Sequence, residues 1–223
     1  MKRPKIVLVV TDKEQNSKLA AYKVDLLEIR VDLFKRQDVA YCLNQIKQRR
    51  LLKIPIILTI RNQKKEGAVK EFADATKWEL MQALLPFANW VDIELTSPIL
   101  RDTVSLARRF NKKVVVSTHN FIKFPHNMEQ ILKKSMSLRA DMVKFAFTPT
   151  AENDLMCLID FTQRHRKQAI TTMCVGSLGA LSRLILPAAG SRWVYSFINK
   201  PTAAGQVNVR LLQQQLDLYY PSK

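Results

Sequence analysis

Three observations predict a single (β/α)8 barrel over residues 1–223. Short apolar segments rich in β-branched residues recur at intervals of roughly 28 residues, each followed by a stretch of helical period. No linker rich in Pro, Gly or Ser interrupts them. The third observation weighs against the alternative, an open doubly wound sheet. Such a sheet often carries a glycine-rich first turn, and this chain has five glycines and no Gly-x-Gly-x-x-Gly or Walker loop.

The predicted strands cover residues 5–10, 24–29, 54–60, 90–95, 113–117, 141–145, 169–173 and 193–197. Continuous runs such as IVLVV, PIILTI and KVVVS suit strands buried on both faces, as a parallel sheet requires. Between strands two and three, Val39, Cys42, Leu43 and Ile46 fall on one helical face. Phe72, Ala75, Trp78, Met81 and Leu85 mark a second such face, and Met128, Ile131, Leu132 and Leu138 a third. Ser97-Pro98 reads as a helix start, a capping hydroxyl before a first-turn proline, and Thr150 as the cap of a helix beginning at Ala151-Glu152. The last helix is expected over 206–218.

Composition narrows the function classes. Hydrophobic residues at 47% and charged residues at 25% are ordinary for a globular protein, and no apolar run approaches the ~20 residues of a membrane span. The apolar stretch after Met1-Lys-Arg-Pro is too short for a signal-peptide core and reads as strand one. Cys42, Cys157 and Cys174 have no metal spacing and cannot all pair, which fits reduced thiols in a cytoplasmic protein. The net charge of +17 is spread in pairs such as Arg49-Arg50 and Lys133-Lys134. That pattern suits solvated helix ends better than a nucleic-acid stripe, while the field would still favour anionic substrates.

Barrel enzymes carry reactive groups at the C-terminal ends of their strands. Those ends hold Glu28 and Arg30, Arg61, Glu94, His119, Lys144 and, after strand seven, Arg183. Lys144 sits among apolar residues in Asp-Met-Val-Lys-Phe-Ala-Phe. A snorkelling lysine is the bland alternative. The functional reading is an amine made nucleophilic by desolvation and neighbouring cations, which adds to a carbonyl and whose protonated imine stabilises an adjacent carbanion. His119, just past Val-Val-Val-Ser-Thr, is suited to moving the adjacent proton, although a lone histidine is more often structural. Arg183 either pairs on a helix surface or clamps a substrate carboxylate through its planar fork. Glu28 and Arg30 alternate by two, so both point to one face.

With these residues in hand, the chain resembles type I 3-dehydroquinate dehydratase over nearly its whole length. The resemblance is carried by Glu28-Ile-Arg30-Val-Asp32, Thr59-Ile-Arg61, Ser117-Thr-His119-Asn-Phe121 and Ala140-Asp-Met-Val-Lys144. Most specific is the C-terminal stretch: Gly176, Gly179 and Ser182-Arg183, then Gly190-Ser191, then Thr202-Ala-Ala-Gly205-Gln206. It implies dehydration of 3-dehydroquinate to 3-dehydroshikimate in the shikimate pathway, through an imine on Lys144, with His119 as general acid and base. Glu66 would orient His119. Arg183 and Gln206 would hold the substrate carboxylate, with Thr202 on a closing loop. Glu28, Arg30 and Arg61 would bind ring hydroxyls. The resemblance further implies no metal or organic cofactor and a homodimer. The chain departs from the family pattern at Asn120 (commonly Asp), Thr202 (Ser), Ala204 (Pro) and Glu66, which follows Arg61 by five residues instead of four. Strand one also begins almost at once, leaving little or no N-terminal hairpin to plug the barrel floor. Two other readings stay open on the residues alone: another lysine-imine barrel, such as a class I aldolase or transaldolase, and a non-catalytic barrel that binds nucleic acid or an anionic ligand.

Overall fold

All eight predicted strands form, with bounds within a few residues of those expected. The computed structural model describes residues 2–64, 67–69 and 71–221. The strands are β1 (Lys5–Val10), β2 (Leu26–Arg30), β3 (Ile56–Thr59), β4 (Trp90–Glu94), β5 (Lys113–Asn120), β6 (Met142–Phe147), β7 (Ile170–Cys174) and β8 (Trp193–Phe197). A helix follows each: α1 (Asn16–Ala20), α2 (Val39–Arg50), α3 (Asp74–Leu84), α4 (Leu100–Arg109), α5 (Met128–Ser137), α6 (Glu152–Arg164), α7 (Gly179–Ala189) and α8 (Val209–Tyr219). Every strand pairs parallel to its neighbour, in the order β7-β6-β5-β4-β3-β2-β1-β8-β9, where β9 is a short added strand, Val207–Asn208. Only Lys2–Pro4 precede β1 among the described residues.

Strand alternation sorts the side chains into two layers. Outward residues such as Leu8, Leu27, Leu58, Val116 and Phe145 pack against the helices. Inward residues fill the barrel: Val7, Leu26, Ile57, Val115, Met142 and Trp193 form its apolar lower part. Higher on the same strands, the inward positions turn polar.

The seam between β7 and β8 departs from a simple eight-strand closure. At the bottom one main-chain bond crosses it, from Arg192 N–H to the Ile170 carbonyl. Above that, β9 pairs with Ser196 and Phe197 of β8. The groups of β7 are satisfied by side chains instead of a strand. Thr172 N–H donates to Ser191 Oγ at 3.0 Å, Cys174 N–H donates to Ser182 Oγ at 3.1 Å, and the Cys174 carbonyl accepts from Arg183 Nη1 at 2.7 Å. Buried backbone groups need partners, so these side chains close what the ladder leaves open.

Four local expectations need correction. Helix α4 starts at Leu100, whose N–H bonds to the Ser97 carbonyl; Ser97 Oγ is buried and has no hydrogen-bond partner among the described residues, so it does not cap. Helix α6 is capped from within. Asp154 Oδ2 accepts from the main-chain N–H of Thr150 and Ala151, and Thr150 Oγ1 is itself a donor to it at 3.0 Å. The buried face of α3 is Lys77, Leu80, Met81 and Leu84, while Ala75 is exposed. Finally, Gln206 stays outside α8, because β9 takes the next two residues and Asn208 then caps the helix through Arg210 N–H.

Replacing Ser182 by alanine removes the acceptor of a buried N–H and is expected to cost about 1–3 kcal/mol, read as a lower urea midpoint at unchanged m.

Candidate active site

The polar upper half of the barrel is built by the same alternation. From β2 come Glu28 and Arg30; Thr59 lies at the end of β3 with Arg61 two residues on; β4 gives Asp92 and Glu94; β5 gives Ser117 and His119; β6 gives Lys144. Register places Ser117 beside Lys144 and His119 beside Ala146, so the histidine and lysine are diagonal neighbours on one face. Glu28, Arg30, Arg61, His119, Lys144, Arg183, Thr202 and Gln206 all line one cavity of about 50 Å³. That is room for one or two waters.

Lys144 is 5% exposed. Its Nζ lies 3.1 Å from Glu28 Oε1, 3.1 Å from Asp92 Oδ2 and 4.1 Å from the ring centre of Tyr195. The expectation of neighbouring cations is therefore corrected: the nearest charges are carboxylates, because β2 and β4 each turn one inward. Asp92 also accepts from Arg61 Nη2 at 2.7 Å and Ser117 Oγ at 2.6 Å. Burial alone would raise the Asp92 carboxyl, but Arg61, Lys144 and His119 hold it well below the usual carboxylate range.

Arg61 has few donors to spare for a ligand. Besides Asp92 and Ser117, it sits 2.8 Å from Glu94 Oε1, and Glu94 in turn meets Lys77 Nζ at 2.5 Å. Lys77 is fully buried on α3 and donates also to Asn62 Oδ1. Arg30 is held by Asp32 through two hydrogen bonds, 3.0 and 2.7 Å, and donates to the Gly67 carbonyl. Thr59 Oγ1 donates to Glu28. The His119 ring stacks on Phe121, with centroids 5.9 Å apart. Glu66, expected to orient His119, lies outside the described residues.

Arg183 differs from the other cations. It is 3% exposed, with no carboxylate partner among the described residues; Nη1 donates to the main-chain carbonyls of Cys174 and Gly179, and Nε has no hydrogen-bond partner. Burial pulls the guanidinium down to about 10, with Cys174 opposing, so it is still cationic at neutral pH. Above it lies the Thr202–Gln206 loop. Gln206 Oε1 accepts from Thr202 N–H at 2.8 Å, and Ala204 C=O accepts from Gly176 N–H. Gly205, at φ +77°, packs backbone to backbone on Gly179; a Cβ on Gly179 would sit 2.6 Å from the Gly205 Cα.

Asp92, Lys77 and Tyr195 escaped the sequence reading. Tyr195 is 2% exposed, lines the cavity, and its hydroxyl has no hydrogen-bond partner among the described residues. Burial, Glu28 and Asp92 push this phenol well above its ordinary range, so it remains a neutral donor. The alternation of Trp193, Tyr195 and Phe197 on β8 was the available signal for Tyr195, as was Asp92-Ile-Glu94 on β4 for Asp92.

The sequence model of the family described as Type I 3-dehydroquinase matches residues 7–223. The chain belongs to that family. It is thus an enzyme, a hydro-lyase of the 3-dehydroquinate dehydratase class. Among curated relatives, the 3-dehydroquinate dehydratase of Thermodesulfovibrio yellowstonii is 31% identical over 214 residues, covering 93% of this chain and 92% of that protein. That of Methanocella arvoryzae is 32% identical over 220 residues, covering 96% and 95%. Among solved structures, the type I enzyme from Clostridium difficile, described with covalent modified comenic acid, superposes with a TM-score of 0.88 at 25% identity, covering 100% of this chain and 94% of that one. The Geobacillus kaustophilus enzyme gives 0.84 at 27%, covering 97% and 92%. The described residues thus share the fold of the family's solved structures. No helix of the described residues is long and apolar enough to cross a membrane.

Lys77→Met removes one of the two cations that Glu94 meets, leaving Arg61, and is expected to cost about 1–3 kcal/mol in urea unfolding, with a smaller further cost for Glu94→Gln in the same chain than in the wild type. Gly205→Ala forces a Cβ into the left-handed region against Gly176 and Gly179. It should displace the loop and raise KM more than it lowers kcat.

Proposed function

We propose that Lys144 is the imine-forming amine of a 3-dehydroquinate dehydration, and His119 its proton carrier. The observation that carries this reading is the pairing of two features in one cavity. A buried lysine lies diagonal to a histidine on the adjacent strand, and a buried arginine without a carboxylate partner among the described residues lines the same space.

The Lys144 ammonium gives up a proton before it attacks. Glu28 and Asp92, each 3.1 Å away, are the carboxylates within reach of that proton. The amine nitrogen then bonds to C3 of the substrate, the carbonyl pair moves to oxygen, and that oxygen takes one proton from the nitrogen and one back from the carboxylic acid, leaving as water to give the protonated imine. His119 removes a proton from C2, and the C–H pair becomes the enamine. Its collapse expels the C1 hydroxyl, which takes a proton from His119 and departs as the second water. Hydrolysis of the imine returns Lys144 and releases 3-dehydroshikimate. The imine nitrogen is the only electron sink needed, so the scheme uses no metal or organic cofactor.

Arg183 and Gln206 bind the C1 carboxylate in this reading. An anion placed against Arg183 relieves a buried positive charge, which makes the site selective for acids. Glu28 and Arg30 face the ring hydroxyls, while Arg61 acts mainly by fixing Asp92. In this reading the Thr202–Gln206 loop, which lines the same cavity, closes over the bound substrate.

The reaction is followed by the absorbance of the conjugated enone formed from 3-dehydroquinate. No rise with the purified protein, together with cleavage of sugar phosphates, would assign the chain to aldolase chemistry instead. Lys144→Ala should abolish turnover. His119→Ala should lower kcat by roughly 10²–10⁴-fold. Arg183→Ala should raise KM by about 10–150-fold, the effect of losing a charge-assisted contact, and change kcat less.

A further inference from the structure

The opposite end of the barrel holds a second, larger cavity that the dehydration does not use. It has a volume of about 1060 Å³ and is lined by the N-terminal ends of the strands. The apolar layer of Val7, Ile57 and Val115 separates it from the cavity at Lys144. Its base is aromatic: Trp90 and Trp193 meet edge to face at 4.9 Å, with Lys113 Nζ 5.2 Å above Trp90.

The rim is cationic and locally uncompensated. Lys2, Lys5, Lys113, Arg166, Lys167 and Arg192 line it without an ion pair among the described residues, while Arg3 beside them pairs with Asp217. The two carboxylates in the wall are already engaged. Asp25 Oδ2 accepts the Ile6 N–H at 2.8 Å, while Asp141 Oδ2 accepts the Val114 N–H and pairs with Arg108, each at 2.8 Å. Six like charges around one concavity focus a positive potential, and a lone carboxylate would neutralise only one of them. A di- or triphosphate concentrates several negative charges within the span of such a rim. Its oxygens suit both the arginine fork and the lysine point charges.

We propose that the barrel floor is a binding site for a di- or triphosphate group, carried by a nucleotide or by inorganic polyphosphate. Calorimetric titration of the full chain at low ionic strength tests this, with inorganic tripolyphosphate and ATP as separate probes. Both should bind saturably at one equivalent and perturb tryptophan fluorescence through Trp90. Tighter binding of ATP assigns the aromatic base to a nucleoside; equal affinity assigns the site to the phosphates alone. Lys113→Glu with Arg192→Glu should weaken binding by about tenfold or more, as removal of two charge-assisted contacts requires. Turnover of 3-dehydroquinate should be unchanged. Lys5→Ala with Lys167→Ala provides a second, milder pair should the first fold poorly. Three results would overturn the proposal: no saturation at one equivalent, binding that survives both rim variants but is lost in Arg183→Ala, or an RNA oligonucleotide held at the rim that tripolyphosphate fails to displace.

Discussion

Charge inside a barrel has to be cancelled by charge inside the barrel. The upper interior of this chain follows that constraint as a connected series: Lys144 against Glu28 and Asp92, Asp92 against Arg61, Arg61 against Glu94, and Glu94 against Lys77. Each link is short and nearly dry. Desolvating one such ion costs several kcal/mol, so the members stand or fall together. Arg30 with Asp32 makes a separate pair at the edge. Arg183 is the exception, a buried guanidinium resting on main-chain carbonyls.

That exception joins fold and chemistry. Arg183 completes the seam by bonding the Cys174 carbonyl of β7, and its remaining donor capacity faces the cavity. The residue that closes the sheet is thereby also the one positioned for an acidic ligand. The neighbouring Gly176, Gly179 and Gly205 serve the same region by letting two loops touch without side chains between them. Ser182 and Ser191, part of the same sequence motif, act on the sheet edge and not on substrate.

Much of this was legible in the sequence, for physical reasons. Runs such as Ile-Val-Leu-Val-Val mark strands buried on both faces, and the period of two placed Glu28 and Arg30 together on the inner face. Lys144 stood out because an amine among apolar residues needs an explanation. The surroundings of that amine were less visible. Asp92 lies between Val91 and Ile93 and looks like an ordinary strand residue until the barrel brings it against Lys144. Lys77 looks like a solvated helix lysine, and its burial depends on Glu94 arriving from another strand. The helix starts at Ser97 and Thr150 were misread because turn geometry, and an aspartate one turn in, supplied the caps that the hydroxyls were expected to give.

The account depends most on Lys144 forming a covalent imine with the substrate. Borohydride reduction in the presence of 3-dehydroquinate, followed by peptide mass spectrometry, measures this directly. One stable adduct per chain is expected, on the peptide containing Lys144, and none without substrate. An unmodified Lys144 in a protein that is turning substrate over, or an adduct on a different lysine, would contradict it.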